Sequence, residues 1–125
     1  MNVKEIIEKA DYLHPNDYLE EDKIKWIKIL EAKIWQEIML THVRPDGLHM
    51  YDVELDSVPF AIKWAENESQ YEDMYVYWLL AMIDKNNEEI DRYINQITFF
   101  NNEYQLFSNY WHNKYMPIYK GNFII

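Results

Sequence analysis

Apolar residues recur three and four positions apart along most of this chain, the spacing that lines one face of an α-helix. From Val3 to Leu13 the stripe is Ile6, Ile7, Ala10 and Leu13, and Pro15 ends it because proline removes an amide and restrains the residue before it. Asn16 or Asp17 is placed to cap a second helix, whose first turns carry Glu20, Glu21 and Asp22, charges that suit the positive end of a helix. This second helix is expected to reach about His42 on Ile24, Ile27, Leu30, Ile34 and Ile38, with Trp26, Ile29 and Trp35 widening the stripe or forming a second face. Lys23, Lys25, Lys28 and Lys33 fall mostly outside it.

Residues 43–68 break the helical pattern. Arg44-Pro45-Asp46-Gly47 is a turn signal, and the stretch after it partly alternates apolar with acidic residues up to Asp56, as a short β-hairpin or an extended loop would. Arg44 stands there against Asp46, Asp52, Glu54 and Asp56, a net of −3 over residues 43–58. Between Pro59 and Pro117 there is neither proline nor glycine. Two helices fit that span. One covers about 69–84 with Tyr71, Tyr75, Trp78, Leu79 and Met82 on a face, and Ser69 with Glu72 three residues on forms a capping box. The other covers about 87–114 with the stripe Ile90, Tyr93, Ile94, Ile97, Phe100, Tyr104, Phe107 and Trp111. Asn86-Asn87 is either the break between them or a kink in one long helix. The last nine residues, PIYKGNFII, are β-prone and end in three apolar side chains, which either pack back on the bundle or add to the sheet edge of a partner. The fold class read from this pattern is all-α: a small helical bundle over residues 1–116, with an extended acidic loop or short β-hairpin at 43–68 and an extended C-terminal arm over 117–125.

Composition narrows the function. A chain of 125 residues makes one domain that can bury a core without disulfides, and there is no cysteine. The N-terminus lacks the apolar core of a signal peptide, and no apolar run approaches the roughly 18 residues that span a bilayer. The protein is therefore expected to be soluble, made in the cytoplasm and independent of membranes. A net charge of −10 with two arginines and no basic run argues against gripping nucleic acid. Eleven Tyr, five Trp and five Phe are many rings for one small core. Either they serve interfaces, where Tyr and Trp are favoured, or they follow the Asn, Ile, Lys and Tyr bias of an AT-rich genome.

Catalytic patterns are sparse. His14, His42, His49 and His112 fit no zinc motif and none follows a Glu at three residues, so no metal site and no cofactor are expected. Two isolated glycines cannot build a phosphate loop, and no serine sits in a nucleophile elbow. The pairs Glu5/Glu8 and Glu88/Asp91 have the spacing with which all-helical nucleotide pyrophosphohydrolases hold magnesium, but they lie 80 residues apart without the basic residues expected between them. The chain is not expected to be an enzyme.

Residues 71–84 (YEDMYVYWLLAMID), 86–95 (NNEEIDRYIN), 100–111 (FNNEYQLFSNYW) and 112–117 (HNKYMP) are successive runs of one longer motif. It resembles the small head–tail connector, or adaptor, proteins of long-tailed phages of Gram-positive hosts. The likeness covers the last 55 residues or so; the first 40 match only in helical character. Similar sequences carry V-P-x-P-Y-D before the first of these helices. Here Val58-Pro59 is present, but Tyr71-Glu72-Asp73 stands downstream without the adjoining proline. The resemblance implies a helical structural protein that forms a ring of its own copies, commonly twelve, in the virion at the head–tail interface. Such a ring lies beneath the portal protein, offers a surface to the tail or a neck-completion protein, and surrounds a channel through which DNA passes without specific binding. It further implies that Tyr115, Met116, Pro117, Ile118, Tyr119, Phe123, Ile124 and Ile125 are a portal-contacting arm. Asp46, Asp52, Glu54 and Asp56 would then face the lumen or the tail, and Trp26, Trp35, Tyr77 and Tyr110 are candidates for subunit interfaces. Another helical protein–protein interaction module is the alternative, and a magnesium-dependent pyrophosphohydrolase a weaker one.

Overall fold

A computed structural model describes residues 1–65, 68–120 and 123–124, with backbone alone for Glu68, Tyr119, Lys120, Phe123 and Ile124. The chain is an all-α bundle of helices α1 (Val3–Leu13), α2 (Glu20–Ile34), α3 (Phe60–Lys63), α4 (Glu72–Asn86) and α5 (Ile90–Lys114). Two short strands, β1 (Tyr119–Lys120) and β2 (Phe123–Ile124), pair antiparallel with Tyr119 opposite Ile124 and Lys120 opposite Phe123.

Helix α4 is the centre of the bundle and packs against α1, α2 and α5. Residues around its whole circumference are buried, among them Met74, Tyr75, Val76, Leu79, Leu80, Ala81 and Ile83, which is why it reads as apolar on more than one face. From α1 it receives Val3, Ile6, Ile7 and Ala10; Leu13, expected on that stripe, is exposed instead. From α2 come Ile27, Leu30 and Ile34. Lys23, expected outside the stripe, is also buried, and its ammonium meets Asp11 Oδ1 at 2.8 Å. From α5 come Phe100, Phe107 and Trp111, but Ile90 and Ile94 of the same stripe are 67% and 52% exposed. The stripe on α5 thus runs two turns beyond the core that covers it.

Helix boundaries differ from the sequence expectation where side chains compete with the backbone. Neither Asn16 nor Asp17 caps α2, whose N-cap is Leu19 without a side-chain bond. Asn16 instead bonds Asp11, the His14 carbonyl and the Tyr18 amide, fixing the turn between α1 and α2. The capping box of the chain is at α1: Glu5 N–H donates to Asn2 Oδ1 at 2.9 Å, and Asn2 N–H to Glu5 Oε1 at 3.1 Å. The Ser69–Glu72 box is not formed, because Ser69 lies in a 3₁₀ turn (Glu68–Tyr71) and α4 begins after Tyr71. Helix α2 runs on into one π-turn, Trp35–Met39, closed by Leu40 N–H to the Trp35 carbonyl at 2.9 Å. The extra residue in that turn leaves Ile34, Ile38 and Met39 all buried.

Helices α4 and α5 are two separate helices, not one kinked helix. Helix α4 ends in a Schellman motif: Glu89 N–H reaches the Asp84 carbonyl at 2.9 Å and Glu88 N–H the Lys85 carbonyl at 3.1 Å, with Glu88 in the left-handed region at φ 61°.

The stretch after α2 is an extended loop, not a hairpin. Its turn is as expected: Leu48 N–H bonds the Pro45 carbonyl at 3.2 Å with Gly47 at φ 85°. Beyond it, Tyr51, Val53, Leu55 and Val58 pack on the core while Asp52, Glu54 and Asp56 face solvent. The loop crosses the start of α1, where the Val3 and Lys4 amides donate to the Ser57 and Leu55 carbonyls, each at 3.0 Å. Helix α3 follows at once and buries Phe60, Ala61 and Ile62. It was hidden in the sequence because one turn is too short to show a period.

Candidate functional site

The surplus of rings is largely absorbed by the bundle. Leaving aside Tyr119 and Phe123, only Tyr12 and Phe99 among the large aromatic side chains are exposed. The four candidate interface residues are each half-buried against the chain's own core. Trp26 meets Tyr18 edge-on at 5.5 Å, and its carbonyl accepts from Trp78 Nε1 at 2.7 Å. Trp35 lies between Phe60 and the Arg44 guanidinium. Tyr77 is tilted on Phe99, and Tyr110 on Tyr71. Ring number is therefore no measure of missing partners here. The apolar surface left in water is mainly aliphatic, and includes Leu13, Leu19, Ile29, Ile90, Ile94 and Leu106.

The root of the C-terminal arm is held to the bundle. Tyr115 stacks on Trp111 at 4.4 Å. Val43 N–H bonds the Met116 carbonyl at 2.7 Å, Ile118 N–H bonds the Thr41 carbonyl at 2.8 Å, and His42 and Pro117 form an antiparallel bridge. Met116 is 73% exposed. The chain then turns into the β1–β2 hairpin, which contains Tyr119, Phe123 and Ile124; Ile125 lies outside the described residues. Under the bridge, His42 Nδ1 lies 2.6 Å from the Ile38 carbonyl and His42 Nε2 lies 3.2 Å from His112 Nδ1. The two imidazoles thus tie the end of α2 to the end of α5.

The four acidic loop residues Asp46, Asp52, Glu54 and Asp56 are all exposed. Asp52 is held by Lys28 Nζ at 3.3 Å, and the Lys28 ammonium, with the Val53 amide, keeps its carboxyl below the usual range. Behind the loop, Glu31 is 1% exposed beside a cleft also lined by Lys28, Tyr51, Asp52 and Val53. Burial pushes its carboxyl up to about 8, against the opposing bonds from the Tyr75 hydroxyl and the Phe60 amide. The Phe60 amide is the first of α3, so Glu31 stands where a helix cap would.

A second cluster was not anticipated. His14 caps the end of α1, Asp84 is in the last turn of α4, and Glu89 precedes α5. His14 Nδ1 is 2.8 Å from Asp84 Oδ1, and His14 Nε2 is 3.8 Å from Glu89 Oε2. Arg92 closes the group, with Nη1 3.4 Å from Glu89 Oε2 and Nε 4.0 Å from Asp84 Oδ1. Asp84 is fully buried, and burial raises its carboxyl while His14 and Arg92 pull it down. His14 Nδ1, both Asp84 oxygens and Glu89 Oε2 are buried, and their close contacts are ion pairs, His14 with Asp84 at 2.8 Å and Arg92 with Glu89 at 3.4 Å. A solvent-open cleft beside the cluster is lined by His14, Pro15, Asn16, Asp17, Tyr18, Asn87 and Glu89. The sequence offered only a hint, in the acidic run Glu88-Glu89, because 70 residues separate His14 from Asp84. The pairs Glu5/Glu8 and Glu88/Asp91 are not brought into a shared ligand group among the described residues.

No helix among the described residues is long and apolar enough to cross a membrane. Comparison of the chain with protein-family models, with curated proteins and with solved structures finds no match.

Proposed function

We propose that this chain is a structural assembly protein of the head–tail adaptor kind. In this reading, copies of it form a ring, twelve by analogy, in the phage virion beneath the portal protein, offer a face to the tail or a neck-completion protein, and surround passing DNA without specific contacts. The observation that carries the reading is the uncovered apolar stripe of α5, where Ile90 and Ile94 are 67% and 52% exposed in continuity with the half-buried Ile97. Aliphatic side chains at helical spacing, left in water beyond the end of a packed core, are surface for another protein.

Two further features agree. The motif that resembles the adaptors spans α4 and α5, the central helix and the one that bears this stripe. The acidic edge Asp46, Asp52, Glu54 and Asp56 is turned to solvent, as a wall that repels DNA phosphates would be. No catalytic step is assigned to the chain, and assembly in the host cytoplasm would precede its place in the virion.

The direct test is to mix the purified chain with the portal protein of the phage or prophage that encodes it and image the product. Rings of the chain seated on the portal support the reading. A chain that neither self-associates nor binds the portal at micromolar concentration overturns it. Neighbouring portal and capsid genes separate it from a helical interaction module that acts outside virions.

A further inference from the structure

We propose that His14, Asp84 and Glu89 bind a divalent first-row transition-metal ion, Zn²⁺ or Mn²⁺, at the end of the bundle where α1, α4 and α5 meet. This goes beyond the assembly reading and does not rest on it.

The first ground is the company these groups keep. Asp84 is 0% exposed, and its carboxylate is met only by His14 Nδ1 at 2.8 Å and, farther off, by Arg92 Nε at 4.0 Å. A buried carboxylate left this way is costly unless a cation meets it. His14 Nδ1 and Glu89 Oε2 are buried in the same place. Four buried polar atoms from three segments thus converge with fewer hydrogen bonds than their burial calls for. Arg92 meets them only in part: its Nη1 is 3.4 Å from Glu89 Oε2 and its Nε 4.0 Å from Asp84 Oδ1, and its side chain is 54% exposed, so it rims the cluster from outside.

The second ground is geometry. One ligand atom from each of the three residues lies within 4.8 Å of the others. The 2.8 Å between His14 Nδ1 and Asp84 Oδ1 is also the separation of two adjacent ligands on an ion held about 2.1 Å from each. The residues are also held in place: His14 ends α1 through its amide on the Ala10 carbonyl, and the Schellman motif fixes Glu89 over Asp84. The adjoining cleft opens to solvent, so water can fill the remaining coordination positions.

The third ground is the donor set. Two carboxylates and one imidazole neutralise a divalent ion. The imidazole selects zinc, manganese or iron over calcium and magnesium, which favour all-oxygen shells. Binding would clamp three helix ends together and so stabilise the fold.

The test uses the full chain freed of metal by chelation, titrated calorimetrically with ZnCl₂ and MnCl₂ and melted with and without each. The expected result is saturable binding at one site and a melting temperature that climbs with ion concentration, with no such rise in MgCl₂ or CaCl₂. Glu89→Gln, at a half-exposed position that leaves the helices intact, should weaken binding at least about tenfold, as should His14→Gln. Arg92→Gln should bind at least as tightly, since a competing cation is gone. His112→Ala, which alters the His42–His112 pair away from this cluster, should bind as the unaltered chain does. Absence of saturable binding, or equal affinity in the unaltered chain and a folded Glu89→Gln, overturns the proposal and leaves the cluster a buried ion pair.

Discussion

Tyr75 on α4 donates its hydroxyl hydrogen to Glu31 Oε2 on α2 at 3.0 Å, and both side chains are out of solvent. Burial, then the neighbouring Glu31, raises the Tyr75 hydroxyl well above its ordinary range, and burial raises Glu31 from 4.5 to about 8. The folded chain therefore keeps a proton on Glu31 that the unfolded chain releases above about 4.5. The contribution is fully present below that pH and is lost as pH rises toward 8. Glu31→Gln, which keeps an oxygen for Tyr75 and for the Phe60 amide, should remove this slope. At pH 8 it should be more stable than the unaltered chain by on the order of 4 kcal/mol, with the two converging toward pH 4.5. Urea midpoints measured from pH 5 to pH 8.5 check it; a constant difference across that range would count against the protonated Glu31.

Glu88 occupies the left-handed position of the α4 Schellman motif at φ 61° and its side chain is exposed. Only glycine takes that conformation without a steric penalty. Glu88→Gly should stabilise the chain by about 0.5–1 kcal/mol, and Glu88→Val should destabilise it. Thermal unfolding of both variants at one pH measures the contrast.

Phe107 and Leu106 are neighbours on α5 with opposite surroundings. Phe107 is 0% exposed and meets Tyr71 edge-on at 5.2 Å, whereas Leu106 is 56% exposed. Phe107→Ala should cost about 3–5 kcal/mol through lost burial and an unfilled cavity. Leu106→Ala should change stability by no more than about 0.5 kcal/mol. Denaturant midpoints of the pair report how far the α4–α5 contact carries the fold.

Ile90→Lys combined with Ile94→Lys places charge on the uncovered stripe of α5. Stability should move by no more than about 0.5 kcal/mol for each substitution, because both side chains are more than half exposed. Self-association or portal binding should fall to background in sedimentation and pull-down measurements. An assembly that tolerates both charges would place the interface elsewhere.

Asp52→Asn, Glu54→Gln and Asp56→Asn together neutralise three of the four exposed loop acids while leaving Tyr51, Val53 and Leu55 on the core. The fold should persist in circular dichroism. DNA retention or ejection by virions that carry the variant should change; unaltered retention and ejection would remove the loop from the channel wall.

Helix positions were legible where the cause is local. Pro15 and the stripe Ile6, Ile7 and Ala10 define α1, and Ile27, Leu30, Ile34 and Ile38 define α2, because helical spacing and a missing proline amide act within a few residues. The turn at Gly47 was legible for the same reason. Capping was less so: Asn2 and Ser69 each stand three residues before a Glu, and only the course of the loop over the first amides of α1 and the 3₁₀ turn at Ser69 make one a cap and the other not.

Periodicity in this chain therefore settles that there are helices and which side chains share a face, since both follow from backbone geometry over one or two turns. It is silent on how far a face is covered. Ile90 and Phe107 belong to one stripe at one spacing, and only the reach of α4 and its neighbours along α5 leaves the first in water and the second enclosed. The same holds for Glu31 and for His14, Asp84 and Glu89. Their surroundings come from segments remote in sequence, so their burial and proximity exist only once the helices have packed.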